Sequence, residues 1–545
     1  MTASYNLIEE GWIPCLWEDG RPEEVGLREA LGEAQRIREV SDPSPLIAVA
    51  LHRLLLAILH RTFGPANEQE WAALWRAGRF DGRALDAYFD RWRSRFDLFD
   101  ERFPFYQTRS LDPAYGGPVS KMPLSAGKNS PLFDHGTDDD RGVLPAAEAA
   151  RELVALQSFA IGGFVAYERE LDPKLYKSAD GAPLAKGAVC LVAGPDLFRT
   201  LMLNLHRYSP RDHEPFRFHG DDRPAWERDE ETRAEDRQPA GYLDYLTWQS
   251  RRARLLPGDD GGAAPVVARA VIMKGNQFPE SWTVHDGETM IAFAKNKKPA
   301  KGQQPWSPVG FREERAVWRD SLALMQSIDD DSDRPRIAAW LGDLVASGVL
   351  DRSQAIPIDL MGLCSDQAKV LFWRQERLPL PLAYLADRTL VLDGLRPALR
   401  VGEEVVERVL DPVGRSLVKL LLAPMSDQPQ GRQPEIGGLT ASLGLRRRYW
   451  SRLDVAFQRL LVDLPGDKER SFAADPDRWP EGGEAYQAWL HDVEQAARRA
   501  FDETAHGVGT SPRALKAVAR AEREFGARLR ALLKEKGMSK EERSG

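Results

Sequence analysis

The stretch Met361-Gly-Leu-Cys-Ser-Asp-Gln-Ala-Lys-Val-Leu-Phe-Trp-Arg374 breaks an apolar run at a small polar knuckle. Gly362 supplies a bend. Ser365 and Asp366 are residue types that satisfy the first free amides of a helix, so a helix is expected to follow. Gln367 then presents an amide tip that can plug a groove, hydrogen-bond a base edge, or sit in solvent. Other groups share this character. Gly162-Gly163 permits positive φ and close approach, or simply caps a helix. Lys274 stands beside Gly275, and Lys295-Asn-Lys-Lys-Pro-Ala-Lys301 forms a basic loop carrying Lys297 and Lys298. From Gly116 to Val143 apolar periodicity disappears, leaving Lys121, Lys128, Asn129 and the lone aromatic Phe133 in a long irregular loop of the kind that is functional or disordered. Each group alone has a bland explanation. Together they suit a groove reader: glycine for close approach, a lysine finger, and a polar wedge between base pairs.

Catalytic and metal signatures do not emerge. The nine histidines form no HExxH, HxxxH or His/Asp pair of metal-ligand spacing. His52 and His60 share a helical stretch but stand about two turns apart, too far for a joint metal site. There is no GxxxxGK[ST] phosphate loop, no GxGxxG after a strand and no GxSxG elbow. Acid pairs are everywhere among 83 Asp and Glu, so none is singled out as a general acid and base. Cys15, Cys190 and Cys364 are far apart, without a CxxC, and read as reduced and buried. No metal site and no cofactor is expected.

The 545 residues suffice for more than one domain, with 42% hydrophobic and 29% charged residues as in a soluble globular protein. No apolar run approaches the roughly 20 residues needed to cross a bilayer. The start, Met1-Thr-Ala-Ser-Tyr-Asn, lacks the basic and apolar regions of a signal peptide, so a cytoplasmic location without membrane attachment is expected. A net charge of −8 argues against coating nucleic acid by bulk electrostatics, while leaving local basic clusters free to bind phosphate.

The elements that must position these groups follow from periodicity. Tyr5 to Leu16 reads as a short strand or turn pair anchored by Trp12 and Ile13. Ser41-Asp-Pro-Ser-Pro45 opens an apolar helix with Leu46, Val49, Leu51, Leu54, Leu55 and Ile58 at helical spacing. A second pattern runs through Trp71, Leu74, Trp75 and Trp92 into an aromatic-rich segment at 96–107, which reads as core. Helix is expected over Ala146–Phe159 and Asp196–His206, and strand over Gly187–Val192, Tyr242–Trp248 and Val266–Met273. Asp229 to Asp236 reads as a solvated excursion. The fold class is therefore α+β: a large mixed domain over 1–380, then a four-helix bundle over 381–545, with helices at 397–422, 440–464, 482–503 and 512–535. Ser511-Pro512 marks the start of the last helix.

Asn6-Leu-Ile-Glu-Glu-Gly-Trp-Ile-Pro14, Phe103-Pro-Phe-Tyr-Gln107, Leu156-Gln-Ser-Phe159 with Gly162-Gly163, Gly194-Pro-Asp-Leu-Phe-Arg-Thr-Leu-Met-Leu-Asn-Leu205 and Ser365-Asp-Gln367 occur in this order. That ordered set resembles the CasA family, the large subunits of type I-E CRISPR Cascade surveillance complexes, over nearly the whole chain. The resemblance implies a non-enzymatic subunit of an antiviral crRNA-guided complex. Guide pairing reads the target and this subunit reads the short adjacent motif, the PAM, in the double strand, a division of labour known for another effector class.

By the same resemblance, Gln367 matches a glutamine wedge that starts unwinding toward the R-loop, with Asp366 as its neighbour. Gly162 and Gly163 match a glycine loop facing the minor groove. Lys274 matches a lysine finger, with Lys295, Lys297 or Lys298 as competitors and as possible phosphate contacts. Lys128, Asn129 and Phe133 fall in the loop that meets the guide RNA and neighbouring subunits. Implied partners are double-stranded target DNA, crRNA, the backbone, small and handle-binding Cascade subunits, and the helicase-nuclease. Some relatives carry a cysteine-rich zinc insertion; Leu256 to Val266 has no cysteine, so zinc is not expected here. Two other readings stand beside this one: a protein-only helical interaction scaffold, and a stand-alone hydrolase or nuclease with an unrecognised site.

Overall fold

In the computed structural model, residues 4–122, 142–262, 264–299, 305–312, 316–327, 332–366, 369–422, 433–474 and 479–538 are described. The fold is α+β with a helical C-terminal region. The chain divides into two compact units, residues 1–351 with 356–378, and residues 352–355 with 379–545.

The first unit begins with an antiparallel sheet in which β1 (Ile13–Trp17) lies between β2 (Pro22–Val25) and β3 (Ile37–Val40). It leads into α1 (Pro45–Thr62), where proline occupies the first turn and its missing N–H is one the helix leaves unpaired anyway. By length and composition α1 could cross a membrane, yet 89% of it is buried and it packs on α2 (Ala146–Phe159), which makes it the core helix of this unit. Its Arg53 is 2% exposed and bonds both oxygens of the buried Glu288 at 3.0 and 3.1 Å. Glu288 also accepts from the Tyr245 hydroxyl and the amides of Thr289 and Met290, so each charge is satisfied.

β4 (Gly163–Phe164) pairs antiparallel with β5 (Ser178–Ala179). β6 (Val189–Val192) precedes α3 (Leu197–Asn204), whose first turn is capped by the Asp196 carboxylate accepting from Arg199 N at 2.6 Å. The strand expected at Tyr242–Trp248 is instead α4 (Tyr242–Leu246). The cause is tertiary: the Asp222 carboxylate, from upstream in the chain, accepts the amides of Leu243 and Asp244 at 3.0 and 2.9 Å and caps a helix that aromatic propensity alone would not start.

β7 (Arg251–Gly258) and β8 (Val266–Lys274) form a long antiparallel hairpin. Gly117–Pro118 and Leu144–Pro145 both pair with β8, so the two stems flanking residues 123–141 sit on one strand. β9 (Phe293–Lys295) lies between β10 (Trp306–Pro308) and Ser332–Asp333.

The knuckle differs from expectation. No helix follows Asp366; β11 (Ala355–Asp366) and β12 (Lys369–Pro381) are neighbouring strands separated by two residues, a hairpin, with β6 on the far side of β11. The reason lies in a period of two: Val370, Phe372, Arg374 and Glu376 are half-buried while Leu371, Trp373, Gln375 and Arg377 are exposed. Gly362 serves close approach here, since a Cβ on it would stand 2.5 Å from the Gly187 carbonyl oxygen.

The second unit is helical: α5 (Arg396–Val405), α6 (Asp411–Leu422), α7 (Gln433–Ser442), α8 (Leu445–Trp450), α9 (Asp454–Ala474), α10 (Glu484–Gly507) and α11 (Pro512–Glu535). The helix expected over 440–464 is divided, because Gly444 takes a left-handed φ of +68° between α7 and α8. The apolar stripes face inward as the spacing requires, with Trp450, Leu453, Phe457, Leu460, Leu464, Tyr486, Trp489, Val493 and Phe501 buried. Ser511 caps α11 through Oγ, which accepts from Ala514 N at 3.1 Å.

Candidate functional site

The glycine pair does not cap α2. That helix ends at Phe159 with Ala160 as its cap, and Gly162-Gly163 leads directly into β4. The two glycines have separate reasons to be glycine. Gly163 has a φ of +146°, which side-chain-bearing residues rarely adopt. Gly162 lies against the returning strand, where a Cβ would stand 3.0 Å from Gly181 N.

From this neck the chain makes an excursion over residues 163–180. β4 and β5 hold its base, and Val165 N donates to the Lys177 carbonyl at 2.7 Å. The buried Arg251 closes the neck: Nη2 donates to the carbonyls of Ile161 and Asp180, both at 2.9 Å, one on each side of the excursion. Burial draws the Arg251 pKa down to about 10, which leaves it cationic at neutral pH. Gln157 on α2 fixes the arginine backbone in turn, accepting from Arg251 N at 3.0 Å and donating to its carbonyl at 2.9 Å. Gln277 accepts from Asp180 N through its side chain.

Lys274, at the end of β8, meets this excursion. Its Nζ donates to the Leu175 carbonyl at 3.2 Å, its own carbonyl accepts from Arg252 Nε at 2.9 Å, and the adjacent Met273 bridges to Ala166. Gly162, Gly163 and Lys274 are thus brought together around one loop. Two exposed apolar side chains decorate it, Phe164 at 70% and Leu175 at 62% exposure, with Lys177 Nζ 5.3 Å from the Phe164 ring centroid.

The remaining candidates connect through the core. Leu46, Val49, Phe159, Val189, Met361 and Leu363 belong to one buried cluster, against which Ile161, Val370 and Trp306 pack. The neck residue Ile161, Met361, Leu363 and Val370 of the β11–β12 hairpin and the sheet carrying Lys295 therefore share a single packed base. Asp366 is exposed at the distal end of β11. Lys295 is exposed with Nζ 5.8 Å from the Trp306 ring, and Lys297 and Lys298 are exposed beyond it. This basic loop belongs to the β9–β10 sheet, whereas Lys274 belongs to the β7–β8 hairpin and bonds the 163–180 excursion at the Leu175 carbonyl. Gln367, Lys128, Asn129 and Phe133 lie outside the described residues.

Among the described residues no group of three or more His, Cys, Asp or Glu side chains could hold a metal ion. The groups around the excursion are the Lys177 and Lys274 ammonium groups, the buried Arg251 guanidinium and the exposed side chains of Phe164 and Leu175. Arg251, Phe164 and Lys177 are not singled out by the sequence. For Arg251 a signal exists: the alternation that buries Ala253 and Leu255 also buries Arg251, and a cation at an inward position needs acceptors.

A family model described as CRISPR-associated protein Cse1 matches residues 6–500 of this chain. The CRISPR-associated protein CasA/Cse1 of Thermus thermophilus is 34% identical over 549 residues, covering 96% of each chain. The crystal structure of Thermus thermophilus CasA is similar with a TM-score of 0.77 at 31% identity, covering 97% of this chain and 99% of that one. A chain of a structure described as a CRISPR RNA-guided surveillance complex shares the fold, with a TM-score of 0.73 at 21% identity over 96% of this chain and 99% of that one.

Proposed function

The chain belongs to the CRISPR-associated Cse1 family, and from that premise we propose that it is the large, non-catalytic subunit of a cytoplasmic crRNA-guided surveillance complex that reads the PAM in double-stranded DNA. The observation that carries this reading is the convergence of Gly162, Gly163 and Lys274 on a loop closed by one buried arginine. A glycine neck lets backbone approach the floor of a minor groove, and a lysine at its side supplies the charge such a groove attracts. The groove offers mainly acceptors in a degenerate pattern, so several PAM sequences should be tolerated.

Gln367, with Asp366 beside it, acts in this reading as the wedge below the PAM that starts unwinding for the R-loop. A hairpin rooted in the same core as Ile161 is a stiff support for such a wedge. Lys128, Asn129 and Phe133 contact the guide RNA and neighbouring subunits, and Lys295, Lys297 and Lys298 are phosphate contacts. Residues 1–380 recognise DNA, while the helices of 381–545 face the other Cascade subunits and help recruit the helicase-nuclease.

The test is Gln367→Ala in the guide-RNA complex, on a duplex target and on one already single-stranded. Opening of the duplex should fall at least about tenfold more than binding of the single strand, since unstacking one step costs a few kcal/mol. Equal loss on both would remove the wedge.

A further inference from the structure

A cavity of about 390 Å³ opens in the first unit between β3, α1, α3 and the sheet of β6, β11 and β12. That is the size of a small-molecule site, and no residue of the 163–180 excursion lines it. His52 on α1 does line it and is only 4% exposed. Its Nδ1 lies 2.7 Å from the Ala48 carbonyl; a carbonyl only accepts, so Nδ1 carries the ring hydrogen. Burial holds the imidazole pKa below its usual range, which keeps the ring neutral at neutral pH and leaves Nε2 with a lone pair. Nε2 bonds no protein group among the described residues, yet it is not sealed in the core as both nitrogens of His60 are. A buried acceptor turned toward a cavity is satisfied only by what enters the cavity.

Thr200 on α3 is 6% exposed and lines the same space. Its Oγ accepts from Gly194 N at 2.9 Å, and its own hydrogen has no acceptor among the described residues. The two side chains therefore offer one acceptor and one donor. Around them Pro45, Leu191, Pro357 and Met361 supply apolar wall.

The charged lining does not favour an anion, because Arg38 and Arg377 are set against Glu39, Asp42 and Asp359. A carboxylate or phosphate would also meet the His52 lone pair with another lone pair. A cation gains little, since the carboxylates are largely committed. Asp359 binds Arg377 through both oxygens at 2.7 and 2.6 Å, and Asp42 accepts from Ser44 N at 2.8 Å and stands 3.5 Å from Arg151 Nε.

We propose that this cavity binds a small neutral molecule carrying an N–H donor beside a hydrogen-bond acceptor, the pattern of an amide or of an amino-substituted nucleobase. His52 Nε2 accepts from the donor, and the Thr200 hydroxyl donates to the acceptor. The site is independent of the glycine–Lys274 face, and its failure would leave the reading of that face untouched.

The experiment is isothermal titration of the full chain at neutral pH with nicotinamide, adenosine and cytidine, which carry the donor. N6,N6-dimethyladenosine, which has lost the exocyclic N–H, and AMP, which adds a phosphate, are the comparisons. At least one of the three donors should bind with a Kd of about 1 mM or tighter. Binding by nicotinamide alone would identify the amide form of the ligand, and binding by a nucleoside the base form. His52→Phe and Thr200→Val should each weaken that binding about five- to a hundredfold, the range expected when one buried polar group of the complex loses its partner. Should adenosine bind, the dimethylated nucleoside should be weaker by a similar factor and AMP should bind no more tightly. Absence of binding by all three donors, or unchanged affinity in His52→Phe, would overturn the site and leave a cavity that holds water only. Equal binding of adenosine and its dimethylated form would overturn the role of His52 even if His52→Phe fails to fold, and tighter binding of AMP would overturn the neutral class of ligand.

Discussion

Arg251 Nη2 donates to the carbonyl of Ile161 at 2.9 Å, from the first residue of β7 to the residue immediately before the glycine pair. With its bond to Asp180 this makes one buried guanidinium the lock of the whole excursion over 163–180. Replacing Arg251 by Met keeps the bulk and removes every donor, leaving the carbonyls of Ile161, Asp180 and Ser250 without this partner. A loss of about 3 kcal/mol is expected, since hydrogen bonds from charged donors are worth more than neutral ones. Hydrogen exchange should localise the loosening to residues 161–182. Unchanged protection there would mean that the neck is held by something else.

Gly163→Ala should cost about 1–3 kcal/mol, because a φ of +146° is strained for any residue with a Cβ. Gly162→Ala acts differently, pressing a methyl against Gly181 N and the returning strand. Both variants should weaken PAM-dependent duplex binding by the complex, read by titration at fixed salt, while the thermal midpoint moves more for Gly163→Ala.

The Arg53–Glu288 pair is a second buried charge site, with 2% and 1% exposure. Glu288→Ala strands the guanidinium and frees the Tyr245 hydroxyl and the amides of Thr289 and Met290, and should destabilise the first unit by about 3–5 kcal/mol in urea unfolding. The double variant Arg53→Met with Glu288→Leu should recover much of that loss, because two isolated desolvated charges are then absent.

Stability should fall in mild acid. His60 and His206 are buried with ring centroids 4.8 Å apart. Burial pushes the pKa of His60 well below the usual imidazole range and that of His206 down to about 4. A folded-state pKa below the unfolded one means that the unfolded chain takes up more protons. The stabilisation is complete above about pH 6.5, the ordinary imidazole value, and is lost as pH falls toward 4. At about pH 5 His206 alone should cost about 2 kcal/mol relative to about pH 7. Urea midpoints at the two pH values check this, and His206→Phe should flatten the dependence.

Much of the frame is legible in the sequence, and the departures share one cause. Helices α1, α2 and α11 follow from apolar spacing with a proline or serine at the start, signals contained within each segment. α4 is not legible because its cap is Asp222, and no local pattern shows a cap supplied from another segment. At the knuckle, Ser365-Asp366 imitates a helix start, while the alternation from Val370 to Arg377 argues for a strand and outweighs it in the fold. Gly162-Gly163 and Lys274 can be named from residue type, but their meeting depends on the Ala166–Met273 bridge and on Arg251, which only the folded chain reveals.

The central claim is that this chain supplies PAM-dependent recognition of duplex DNA. The most direct measurement is duplex binding by the guide-RNA complex reconstituted with and without the chain, on targets with and without a candidate PAM, at one salt concentration. Tight binding that requires both the chain and the PAM is the predicted result. Equal binding when the chain is omitted would contradict it.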